Sequence, residues 1–142
     1  MQYPRSPKIL LGGMAHLPRL IDKIRLRNAG HIADYNYITT GFDKRLLDLL
    51  QIKGEDLERR VLQGGTDEEL LAWVKANRRS LTDEELRKWN DRILYGGPED
   101  DAALQRFHAR LAEVATKRGI SVEALPDVTA WSDVIELDEG RL

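Results

Sequence analysis

The chain has 142 residues, 42% of them hydrophobic and 32% charged, with a formal net charge of −2. That is the size of one ordinary domain with apolar material enough for a core, and it excludes a chain disordered by composition or built for the lipid phase. Cysteine is absent, which excludes a disulfide framework, a cysteine nucleophile and thiolate metal sites together.

The charge is unevenly spread. Residues 1–29 carry six Lys/Arg against Asp22 alone, whereas residues 120–142 carry six Asp/Glu against Arg141. Opposed ends of this kind either form a basic binding surface or pack side by side, within one chain or across a homodimer. No signal pattern and no long apolar run is visible, so the expected compartment is the cytoplasm, with no membrane partner.

Residues 1–16 read as an irregular, extended segment. Pro4 and Pro7 bias Tyr3 and Ser6 away from helix, and Gly12-Gly13 marks a turn. A helix is expected to open at Pro18, where a missing N–H does no harm, and to stop at Gly30. Leu17, Leu20, Ile21, Ile24 and Asn28 would share one face; Arg19, Asp22 and Leu26 would share the opposite one.

The stretch GHIADYNYITTG at 30–41 has no helical period and is long for a plain connection, which favours a functional loop or tyrosines that cover the core. Asp43 is placed to cap a short helix carrying Leu46, Leu47, Leu49, Leu50 and Ile52, apolar nearly all round and therefore expected to be central. Another short helix with Leu57, Val61 and Leu62 ends at Gly64-Gly65.

The motif TDEELxxW then occurs twice, from Thr66 to Trp73 and from Thr82 to Trp89. In each copy Thr can accept from the helix N–H groups while Glu reaches back, the reciprocal box of a helix start. Two copies 16 residues apart are too few and too short for a solenoid, so both read as structure. A longer helix is expected from Pro98 to Arg118, with the stripe Ala103, Leu104, Phe107, Leu111, Val114 and Ala115 and with His108 at its border. After Pro126, Trp131, Val134 and Ile135 suggest a last short helix. No run has the alternation of a sheet strand.

Together these features predict an all-α fold: a compact single-domain bundle of about six or seven short-to-medium helices over residues 1–142. Residues 1–16 would form the extended N-terminal segment, and 127–142 a short C-terminal helix and tail.

Several segments resemble one family. They are YPRSP at 3–7, LGG at 11–13, HLPRLIDKIR at 16–25, GFDKRLLDLL at 41–50, GGTDEELLAWV at 64–74 and DVIELDEGR at 133–141. In that order they resemble the small bacterial proteins grouped as domain of unknown function 5069. The resemblance implies a compact helical domain of this size and supplies no catalytic residues. It is thinnest over 30–40 and 96–125.

The segment from His16 to Lys23 is richest in reactive groups. An opening helix has unpaired N–H groups that attract anions, so Arg19 and Lys23 could hold a carboxylate or phosphate there. His16 and Asp22 are the candidate catalytic residues, with His16 able to act as acid or base beside the positive helix end. The plainer alternative is an ordinary Arg19–Asp22 ion pair with His16 filling a turn.

His31, Tyr35, Tyr37 and Asp43 form a second set, in which Tyr35 and Tyr37 could wall a pocket and bind ligand if the loop folds over the first helix. Histidines at 16, 31 and 108 without a paired spacing give no metal site, and no cofactor signature is present. Modest aromatic content and the acidic balance speak against nucleic acid. The leading expectation is a pocket-bearing domain that binds a small anionic molecule, with the loop as lid. The alternative is a helical interaction or self-associating module without catalysis.

Overall fold

A computed structural model describes residues 2–142, and among the described residues seven α-helices dominate. They are α1 (Leu17–Asn28), α2 (Gly41–Leu50), α3 (Gly54–Leu62), α4 (Asp67–Asn77), α5 (Asp83–Tyr95), α6 (Asp101–Arg118) and α7 (Trp131–Asp138), with a short 3-10 turn at Val122–Ala124. The all-α expectation holds. The chain falls into two compact units, one running through Asn90 and the other spanning Asp91–Leu142, with the division inside α5.

The first unit begins with something the sequence reading did not contain, a two-stranded antiparallel hairpin of β1 (Leu10–Leu11) and β2 (Met14–Ala15). Gly12 and Gly13 both take positive φ, +58° and +76°, as the mirror-image two-residue hairpin turn demands. Strands this short have no room for an alternating pattern. Helix α5 supplies what they lack: Asn90 accepts from the Ala15 N–H at 2.9 Å and donates to the Gly13 carbonyl at 2.8 Å, and the Trp89 indole donates to the Ala15 carbonyl at 2.8 Å.

Helix α1 is the buried element of this unit. Leu17, Leu20, Ile21 and Ile24 are fully inaccessible, and on the opposite face Arg19 and Leu26 are buried too while Asp22 is half-buried; Lys23 is also buried. Helix α2, expected to be central, is one-sided: Leu46, Leu47 and Leu50 are buried while Lys44, Arg45 and Asp48 are exposed. Helix α1 starts at Leu17, one residue before Pro18, and Asp43 lies inside the first turn of α2, whose N-cap is Thr40. Asp43 is therefore not a cap.

Both reciprocal boxes form. Thr66 accepts from the Glu69 N–H at 3.2 Å and Thr82 from the Glu85 N–H at 3.1 Å, with each glutamate returning to the threonine N–H. Between the two helices, Arg79 bonds the Leu49 carbonyl and Glu85, anchoring the connection to the end of α2.

In the second unit α6 starts at Asp101 rather than Pro98, because the Asp100 carboxylate caps it by accepting from the Ala103 N–H at 2.7 Å. Val114, Ala115, Leu125 and Leu137 form a core, with Leu111 and Val128 packed on it. Trp131 meets the Phe107 ring edge-on at 5.1 Å. Leu104 and His108 face outward, so the α6 stripe is narrower than expected.

Candidate functional site

His16 is the N-cap residue of α1 and stands in the left-handed region at φ +75°. Its N–H donates to the Pro7 carbonyl and its carbonyl accepts from Leu20, both at 2.9 Å, so the N-terminal arm holds the backbone in this sparsely populated conformation. One and two turns on, Arg19 and Lys23 follow on the same side of α1. All three residues are at most 5% exposed.

His16 and Lys23 share a partner in Asp43, which is wholly buried. One carboxylate oxygen lies 2.6 Å from His16 Nε2, and Lys23 Nζ lies 3.3 Å from both oxygens. The second oxygen also accepts the Ile38 N–H at 3.1 Å. Burial works to raise the Asp43 carboxyl, but His16, Lys23 and the Ile38 N–H together outweigh it and hold the group below the usual carboxylate range. For His16 burial prevails over Asp43 and pushes the imidazole down, so it is neutral.

A carboxylate only accepts, so the neutral ring must place its proton on Nε2. That leaves the Nδ1 lone pair. Nδ1 is buried and has no hydrogen-bond partner among the described residues. An imidazole oriented by a carboxylate, with its other nitrogen available, is the arrangement of a proton acceptor. The Phe42 ring stands edge-on to His16 at 5.6 Å and helps to keep water away.

The segment between α1 and α2 closes this cluster. The Asn36 carbonyl accepts from Lys23 at 2.9 Å, the Tyr35 ring lies under the Arg19 guanidinium at 5.9 Å, and Ile38 holds Asp43. Ile32 and Ile38 both take positive φ, +51° and +55°, which is strained for a β-branched side chain. Ile38 faces two ways, since its side chain borders an open groove of about 480 Å³ shared with Lys44, Leu47 and Gly54.

The remaining candidates are placed elsewhere. Asp22 is held by Arg5, whose guanidinium grips it at 2.9 and 3.0 Å and whose N–H adds a third bond at 2.9 Å. Arg5 also reaches Asp67 at 2.6 Å, and the two carboxylates keep its guanidinium charged. Arg19 Nη1 donates to the Arg5 carbonyl at 3.2 Å. The Tyr37 hydroxyl donates to Glu58 and accepts from Asn28, and burial followed by Glu58 pushes its ionisation up. His31 is exposed.

His16, Arg19, Lys23 and Tyr35 thus come together, Asp22 and Tyr37 do not, and the carboxylate beside His16 is Asp43. Asp43 stands out in the sequence as a helix cap and as a neighbour of the loop; nothing local ties it to a histidine 27 positions earlier.

Residues 1–141 match the profile of the family described as Domain of unknown function (DUF5069). The chain belongs to that family. No curated protein matches the chain. No helix among the described residues is long and apolar enough to cross a membrane.

Proposed function

We propose that the chain binds a small anionic molecule against the side of α1 that carries His16, Arg19 and Lys23, with the segment 29–40 as its lid. His16 is the hydrogen-bond acceptor for the ligand and, if chemistry follows, its general base. The observation that carries this reading is the buried His16 Nδ1, which has no partner among the described residues. An acceptor left unsatisfied in the interior costs about 1–3 kcal/mol, and a ligand hydroxyl or amine would remove that cost.

Arg19 and Lys23 supply the charge complementary to an anion, and Tyr35 supplies a wall. Two strained isoleucines in the lid each store on the order of 1–3 kcal/mol, which lowers the cost of opening. Through Ile38, displacement of the lid would join the outer groove to the Asp43 carboxylate.

A thermal-shift series with hydroxy-acids and phosphate esters tests the reading. A binder raises the midpoint in proportion to the logarithm of its concentration above Kd. The shift is expected to vanish in Arg19→Gln and in His16→Asn, the latter chosen because Asn tolerates the left-handed backbone. A flat response across the panel, with a dimer seen by light scattering, would instead favour the self-associating module.

A further inference from the structure

The two TDEELxxW copies are locally alike but end differently. Trp89 is buried and spends its indole N–H on the Ala15 carbonyl. Trp73, at the same offset in α4, is only partly buried, and its indole N–H has no hydrogen-bond partner among the described residues. It lines a groove of about 380 Å³ between α3 and α4, closed at one end by the α2–α3 connection. That volume is at the small end of the range for metabolite sites.

The opposite wall is the polar face of α3, where Asp56, Arg59 and Arg60 fall at i, i+3 and i+4, continued by Gln63 at the C-cap. Gln51 and Lys53 close the end, and Asn77 stands one turn beyond Trp73. Asn77 donates to the Trp73 carbonyl at 2.8 Å, which fixes its amide and leaves its oxygen as an acceptor. Arg59 is braced by Asp56 at 3.3 Å and Arg60 by the Gly64 carbonyl at 2.7 Å.

We propose that this groove is a second ligand site, distinct from the His16 cluster, and that it takes an anionic sugar. An aromatic side chain offers a surface for the C–H face of a pyranose, and its N–H offers one donor. Three side-chain amides and a carboxylate provide the paired donors and acceptors that vicinal hydroxyls require. Lys53, Arg59 and Arg60 exceed Asp56 in charge, which selects a phosphate or carboxylate on the sugar over a neutral one. A plain anion would leave the tryptophan and the amides unused.

Isothermal titration with glucose 6-phosphate, glucuronate, glucose, inorganic phosphate and adenosine monophosphate tests it. Both anionic sugars are expected to bind saturably, with glucose and inorganic phosphate at least about tenfold weaker, since each lacks one half of the recognised chemistry. Two exposed charges are removed in Lys53→Gln/Arg59→Gln, which should weaken binding about fivefold to twentyfold while the melting temperature stays near wild type. Trp73→Phe should abolish a ligand-dependent change in tryptophan fluorescence. No saturable binding, equal binding by the double variant, phosphate as tight as the sugar phosphate, or tighter binding of the nucleotide would each overturn the assignment. None of these variants touches His16, so either site can fail alone.

Discussion

Replacing Asp43 by alanine should be the most damaging single change in the first unit. The carboxylate is wholly buried and serves three groups at once: His16 at 2.6 Å, Lys23 at 3.3 Å and the Ile38 N–H at 3.1 Å. Removing one partner of a buried ion pair leaves the other charge in a poorly solvated place, and such losses run about 3–5 kcal/mol. In a chain of this length that corresponds to a midpoint lower by roughly 10–20 °C.

Urea unfolding followed by circular dichroism measures the loss directly, with the slope of the transition checking that the same surface unfolds. The double variant Lys23→Met/Asp43→Leu sharpens the test. Exchanging a buried pair for apolar groups of similar size is often neutral or better, so the double variant should recover the share of the Asp43→Ala loss that comes from stranding Lys23, while His16 Nε2–H and the Ile38 N–H stay unpaired. Recovery of stability together with loss of ligand response would mean that the charges are kept for binding rather than for folding. A loss below about 1 kcal/mol in Asp43→Ala would refute the reasoning, because a value so small belongs to an exposed pair.

The remaining predictions concern pH, the lid and a cap. Burial depresses the His16 imidazole from its ordinary 6.5, so the unfolded chain takes up that proton first and stability is lost as pH falls below about 6.5. The slope from this group is at most about 1.4 kcal/mol per pH unit, and melts between pH 7.5 and 5 should show it in the wild type but not in His16→Asn; equal slopes would contradict a neutral buried His16. Asp43, held below the usual range, adds a second loss only as pH drops below about 3.9. A methyl group at Gly54 would overlap Ile38 Cγ2, so Gly54→Ala should push the lid outward and speed proteolytic cleavage within 29–40, with unchanged cleavage arguing against a lid seated there. Thr66→Ala removes one half of a reciprocal box and should cost about 1 kcal/mol in urea unfolding.

Much of the fold was legible because its signals are short-range. Thr66 with Glu69, Thr82 with Glu85, and Gly119 closing α6 at φ +68° each act within one turn, and their chemistry is the same in any context. The structure departs from the local signals where two segments compete or cooperate. Pro98 lost the start of α6 to Asp100, whose side chain satisfies an N–H that proline leaves open. The hairpin at 10–15 was invisible because its pairing is completed by Asn90 and Trp89, some 75 residues away.

The candidate site shows the same boundary. Sequence by itself placed the reactive groups His16, Arg19 and Lys23 on adjoining turns of one helix, since the 3.6-residue period needs no partner. It also put a tyrosine loop next to them. Which carboxylate joined the cluster was decided by tertiary packing: Asp22 went to Arg5 and Asp67, and Asp43 came to His16 from another helix. Burial was decided there as well. A lysine or an arginine is read from sequence as a surface residue, and only the packing of α2, the N-terminal arm and the 29–40 segment around α1 turned its charged face into an interior. The physical reason is range. Helix starts and stops depend on hydrogen bonds among near neighbours, whereas desolvation depends on everything that arrives from elsewhere in the chain.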